Sequence, residues 1–335
     1  MDLVFDIASS VEFWRTVYPA ERKLQLPDHT EIHDCAFLAS DVKRLLPAWA
    51  NREFLDRADG RAHVMVFDAN QRRRSTEHAT HIWTGPIPDG SFYRLDESTL
   101  IASPAFMFLS AASRLSLPAL IAFGCELCGR YSFDDREERG FRTRSTPLST
   151  PEQLHVFLEG AHCCRGYRTA SRALPYLVPD SASPMETFDA LALHLPYRLG
   201  GYGFDKPTMN HAVELSDKAA RIAKRKTCYA DMYYTSSRYP DSKLDIEHHG
   251  RLDHSSFEDR ASDRARVNGL KEMGFEVIEL TKDQVNDLLA FEYIIQRIAE
   301  LLGRRLKEDK LGPTPARLEF RKEVFAWNRS GGQLW

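Results

Sequence analysis

Apolar and polar positions alternate in short runs along the first third of the chain, at residues 31–38, 63–67, 79–84, 92–95 and 99–102, with polar residues or Gly and Pro between them. That pattern predicts strands. A helical pattern then takes over. Ser103-Pro104 and Ser116-Leu117-Pro118 each supply an N-cap with proline in the first turn, predicting mostly apolar, buried helices over 104–113 and 119–128. Residues 134–144 read as a charged loop, and Thr150-Pro151-Glu152 opens a further helix that runs to about His162.

A Pro/Ser/Asp-rich connection ending at 181–183 marks the expected boundary with a second domain. Beyond it the pattern predicts a helix over 184–195 stopped by Pro196, a glycine-rich turn at 200–203, and a segment at 210–215 that suits strand or helix. Two strand-like runs follow, 228–234 and 243–250, joined as a hairpin by the polar turn 236–242. Residues 257–273 read as a helix stopped by Gly274, 275–280 as a strand, and 282–302 as one long helix with Thr281 and Gln284 as its capping box and Gly303 as its C-cap. With 210–215 as a strand, the order is helix, three strands, helix, strand, helix. The expected architecture is therefore α/β. An αβββαβ core with a mixed sheet spans 183–306, a smaller α+β domain at 1–149 and a connecting helix and linker at 150–182 precede it, and a basic tail at 307–335 follows.

Composition changes this picture little. The 335 residues are 43% hydrophobic and 28% charged, enough apolar material for two cores, and a net charge of −3 offers no global attraction for nucleic acid, so any such surface must be a local patch. The chain starts with acids rather than a basic leader, and no window is long and apolar enough to span a membrane, so a cytoplasmic protein is expected. Six scattered cysteines lack the density of a disulfide scaffold. Cys125-Glu126-Leu127-Cys128 could form half a zinc site with Cys163-Cys164, but it sits in an apolar helical run and reads as core.

The candidate chemistry lies in the second domain. In an extended strand, Asp245, Glu247 and His249 project to one side while Leu244, Ile246 and His248 project to the other. The hairpin would set Asp231 beside that acidic face, and carboxylates converging from paired strands are what a hard divalent ion, Mg²⁺ or Mn²⁺, requires. Lys218, Arg221, Lys224, Arg225 and Lys226 form a basic patch just before the Asp231 strand, suited to phosphate contacts that carry no sequence information.

These residues call up a family. Residues 183–302 resemble the PD-(D/E)XK nuclease superfamily, and within it the very-short-patch-repair-like (Vsr-like) endonuclease domains. Glu186 matches the family's helix acid, Asp231 the second-strand aspartate, and Ile246-Glu247 the third-strand glutamate; His254, Asp263 with Arg266, and Gly274 through Val277 to Thr281 follow in order. The resemblance implies a restriction-endonuclease-like core and a metal-dependent DNA endonuclease, serving phage defence or DNA repair, with the N-terminal domain choosing the target. It also implies roles. Asp231 and Glu247 would hold Mg²⁺ or Mn²⁺, Glu186 would bind it through water or help place it, His249 or His254 would orient or deprotonate the attacking water, and Arg266 would pair with Asp263 or touch phosphate. His249 stands where the family carries lysine or aspartate.

Gly200 to Gly203, 207–210 and Ser103-Pro104 bear a weaker likeness to AbiEi-type antitoxins. That likeness implies the alternative, an inactive nuclease-fold regulator that binds DNA and a toxin, with its acidic site salt-bridged or filled. No helix-turn-helix is legible in the first 60 residues, since 42–49 is short and broken by Pro47. The expected partners are DNA and, as a homodimer, a second copy of the chain. Plainer readings stand beside these: Ser183 to Glu186 is itself a capping box, and Asp263 with Arg266 a surface ion pair.

Overall fold

The computed structural model describes residues 1–17, 32, 34–57, 59–73, 75–235, 243–249 and 257–334. By its internal contacts the chain divides into two units, Met1–Leu177 with Trp327–Trp335, and Val178–Ala326. It is mixed α/β.

The first unit carries β1 (Leu3–Val4), α1 (Ile7–Glu12), α2 (Ala39–Leu45), α3 (Arg52–Arg57), β2 (Ala62–Val66), β3 (His78–Ile82), β4 (Phe92–Arg94), β5 (Thr99–Ala102), α4 (Pro104–Ala111), α5 (Leu117–Leu127), β6 (Tyr131–Phe133), β7 (Phe141–Thr143), α6 (Pro151–Glu159) and α7 (Tyr167–Ala173). Three small sheets result: β1-β5-β4, the parallel pair β2-β3, and the hairpin β6-β7. Ser103 and Ser116 cap α4 and α5 as expected, accepting from Phe106 N and Ala119 N, and both helices are buried along most of their length. Cys125 and Cys128 are fully buried at the end of α5, as core residues. The strand expected at 31–38 does not form among the described residues. There Cys35 makes an isolated bridge to Asp2, and α2 opens at Ala39. The charged loop at 134–144 holds β7, which pairs with β6.

The second unit carries α8 (Pro184–His194), β8 (Thr208–Glu214), α9 (Asp217–Ala223), β9 (Thr227–Thr235), β10 (Lys243–His249), α10 (Phe257–Glu272), β11 (Phe275–Thr281), α11 (Lys282–Asn286) and α12 (Leu288–Leu301), and α13 (Pro315–Arg329) follows. The sheet order is β11-β10-β9-β8. β8, β9 and β10 pair antiparallel, and β10 and β11 pair parallel, which requires a crossover that α10 supplies. The ambiguous segment at 210–215 is strand. The helix expected at 282–302 is two, because Asp287 leaves helical geometry and its carboxylate accepts from Leu289 N and Ala290 N, starting α12 afresh.

One hydrophobic cluster joins β8, β9 and β11 to α9 and α10 through Val213, Cys228, Ala230, Phe275, Ala223 and Leu270. Gly269 lets α10 approach α9, since a Cβ there would lie 2.7 Å from the Ala223 Cβ. On α8, Phe188 stacks with Phe320 at 5.4 Å and Phe325 at 4.4 Å. β10 is one of the two interior strands, and its Leu244, Asp245, Ile246 and Glu247 are all at most 2% exposed. Asp245 and Glu247 of the acidic face are thus buried. No described helix is long and apolar enough to cross a membrane.

Candidate functional site

Strand register gathers the acids. β10 meets β9 as Asp245 opposite Tyr233 and Ile246 opposite Met232, so the same register carried one residue further sets Glu247 opposite Asp231. On its other side, Glu247 pairs with Glu279 of β11. β8 meets β9 as Met209 opposite Met232 and His211 opposite Ala230, which puts Asn210 across from Asp231. Asn210 adopts a left-handed backbone, φ 48°, a region asparagine tolerates better than most residues, and its Nδ2 donates to Asp180 O at 2.6 Å.

The fourth acid comes from a helix start. Ser183 Oγ accepts from Glu186 N at 3.1 Å, and Glu186 Oε2 accepts from Ala182 N at 2.8 Å, so Glu186 does serve the end of α8. It also senses the strands. Burial, then the charges of Glu186 and Glu247, push the Asp231 carboxyl up to about 7. Burial also raises Glu186. Asp245 goes further, pushed to about 9 by burial, Glu247 and Asp231. Its Oδ1 accepts from Met232 N at 3.4 Å.

Two cations answer these charges. Arg266 of α10 grips Glu247 with both fork nitrogens, Nη1 to Oε1 at 2.6 Å and Nη2 to Oε2 at 2.8 Å. The same guanidinium donates to Asp263 Oδ1 at 2.9 and 3.1 Å and to Tyr229 O at 3.2 Å. Burial disfavours its charge, yet Glu247 and Asp263 outweigh that and raise its pKa. On the other side of β10, His248 Nδ1 lies 2.6 Å from Oδ2 of the fully buried Asp189, one helical turn beyond Glu186 on α8. Burial opposes the imidazolium, but Asp189, Glu186 and Asp231 prevail and raise its pKa.

Of the residues expected from the sequence, Glu186, Asp231, Glu247 and Arg266 are brought into one electrostatic neighbourhood, and Arg266 meets Glu247 as well as Asp263. His249 ends β10 across from Thr281, and His254 lies outside the described residues. Lys218, Arg221, Lys224, Arg225 and Lys226 are all exposed on α9 and its exit. Lys218 pairs with Glu272 at 2.7 Å, and Arg225 Nη2 donates to Ser262 Oγ at 2.9 Å. From Thr227, where β9 begins, Asp231 is about 13 Å further along the strand. Asp189, His248 and Asn210 were not expected. The i, i+3 spacing of Glu186 and Asp189 on one helix face was the signal available for the first of these.

Carboxylates that raise one another's proton affinity are relieved by positive charge. The arrangement is nevertheless held by other partners, Glu247 by Arg266 and Glu186 by the Ala182 amide. Among the described residues, no group of three or more His, Cys, Asp or Glu side chains is arranged to hold a metal ion. No family model, no curated protein and no solved structure matches the chain.

Proposed function

We propose that the second unit is a divalent-metal-dependent nuclease of restriction-endonuclease-like type that hydrolyses phosphodiester bonds in DNA. One observation carries the reading. Asp231 feels the charges of both Glu186 and Glu247 and, with burial, is raised to about 7, a crowding of like charge that a divalent cation would relieve. Asp231 and Glu247 would hold Mg²⁺ or Mn²⁺, with Glu186 helping to place it. Bound there, the ion would supply Lewis-acid stabilisation of the phosphoryl oxygens and a more nucleophilic water. The chain's own residues do the rest: the basic patch on α9 binds the DNA backbone, and Asp189 fixes the His248 ring through Nδ1.

Titration of Mn²⁺ and Mg²⁺ into wild type and an Asp231→Ala/Glu247→Ala double variant, with supercoiled plasmid incubated in parallel, tests this. Heat of binding and nicking are both expected in the wild type and lost in the variant. The bidentate grip of Arg266 on Glu247 favours a second reading, an inactive nuclease-fold module that binds DNA and a toxin as a regulator. Absence of both signals in the wild type, with DNA binding retained, would establish that one.

A further inference from the structure

Two arginines of the first unit lack the counter-charge that burial demands. Arg144 N donates to Arg130 O at 2.7 Å, which carries the β6-β7 ladder one residue past β7 and keeps Arg142 and Arg144 on one face. Their guanidiniums reach a single π turn, Phe13–Val17, a form of helix that recurs at functional sites. Arg142 Nη2 donates to Arg15 O and Arg144 Nη2 to Trp14 O at 3.4 Å, so the carbonyls of consecutive residues hold the two side by side. Arg142 Nε adds Ser132 Oγ at 3.4 Å. Among the described residues neither guanidinium pairs with an acid or lies over a ring. The acid that acts on Arg144 is Glu126, and Arg15 already takes both of its oxygens. Arg144 Nη1 is buried without a partner, and burial, joined by the charges of Arg142 and Arg15, pushes the guanidinium down to about 10. Other arginines drawn into the interior are answered: Arg266 by Glu247, Arg317 by Glu292, and Arg321 by two carbonyls and the rings of Phe188, Phe291 and Phe325.

We propose that Arg142 and Arg144 bind a small phosphate-type oxyanion, inorganic phosphate or a phosphomonoester, between their guanidiniums. The site belongs to the first unit alone and does not rest on nuclease chemistry. Burying a guanidinium without a counter-charge costs the fold free energy, and the nearby carboxylate is already taken. A tetrahedral dianion supplies what is missing. It brings two negative charges for two cations, and enough acceptor oxygens to reach both Arg144 Nη1 and the Arg142 Nη1 that no bond occupies. A monovalent carboxylate brings one charge and would answer one guanidinium only. Both residues are half-buried, which leaves a small anion a way in while limiting the water that would screen it.

The test titrates the full-length wild type, Arg142→Gln and Arg144→Gln with sodium phosphate, phenyl phosphate and sodium acetate, against sodium chloride of equal ionic strength. Heat of binding and melting temperature are read in parallel. Phosphate is expected to give saturable heat and a saturable rise in melting temperature in the wild type, with chloride giving neither and acetate binding more weakly. Each glutamine variant is expected to weaken phosphate about tenfold or more, the loss of a charge-assisted hydrogen bond. Phenyl phosphate binding as tightly as phosphate would assign the site to a phosphomonoester, and phosphate binding alone would assign it to the free ion. A pair that only braces the π turn would lower the melting temperature of the variants by the same amount with and without phosphate, and that result overturns the site. So does a wild type that responds to phosphate and chloride alike. Should Arg144→Gln fail to fold, Arg144→Lys carries the test with Arg142→Gln. It keeps the charge but loses the fork, and phosphate affinity unchanged in both would equally overturn the site.

Discussion

In the first unit the buried Glu126 receives Arg15 through both carboxylate oxygens, at 2.8 and 2.7 Å, and Asp134 receives Arg136 at 2.9 and 2.8 Å with Arg57 nearby. In the second unit Asp231 and Asp245 lie at the centre of a sheet with like charges as neighbours. The same residue type moves in opposite directions. Burial works against the Asp134 charge, yet Arg136 and Arg57 hold its carboxyl down at about 2, whereas burial and neighbouring acids push Asp231 to about 7 and Asp245 to about 9. The difference does not divide the units wholesale. Glu292, elsewhere in the second unit, accepts from Tyr202, Arg317 and the Gly312 amide. What it separates is acids answered by cations from acids set beside like charges, and only the second kind costs the fold free energy.

The contrast is broken most forcefully at its strongest pair. Arg15 also donates to Gly331 O and Gly332 O, so Arg15→Ala would leave Glu126 buried without its principal cation and release the chain end. A loss of about 3–5 kcal/mol is expected from chemical denaturation.

Next come the two aspartates, for which isosteric replacement should act with opposite sign. Asp134→Asn is expected to destabilise the first unit by about 1–2 kcal/mol, discounted because the Arg136 side chain is 48% exposed. Asp231→Asn is expected to stabilise the second unit by about 1 kcal/mol at neutral pH, because an amide removes the repulsion but keeps the shape. Two denaturation curves that shift the same way would refute the distinction.

Acid sharpens it. Asp134 has a folded value near 2, below the unfolded value of about 3.9, so its contribution is complete above the unfolded value and is lost as pH falls through the folded one. The stability gap between wild type and Asp134→Asn should therefore hold at pH 5 and shrink toward pH 2, followed by urea titration across that range.

The smallest expected effect lies away from both sites. Thr281 and Gln284 form a complete capping box on α11, and Thr281→Ala should cost about 1 kcal/mol without altering Mn²⁺ binding. A change in Mn²⁺ affinity would mean that the end of β11 reaches the site.

Much of this was legible in the residues. Local signals with a range of three or four residues were read correctly: the Ser103 and Ser116 caps of α4 and α5, the Thr281 box, and the stop of α10 at Gly274, whose φ is +83°. Alternation likewise placed β9 and β10. It also put Asp245 and Glu247 on one shared face, but period two tells which side a residue points to and not what covers that side.

The sequence by itself determined the acids that occupy the strands of the second unit and much of the order of its elements, though not α9 or the break between α11 and α12, since caps, turns and alternation act through neighbours along the chain. Tertiary structure alone decided the rest. It buried the β10 face, brought the charge of Glu247 to bear on Asp231, and reached across from α10 with Arg266 and from α8 with Asp189. Proton affinities follow from burial and from charges brought close in space, and those partners stand 19 and 59 residues apart along the chain.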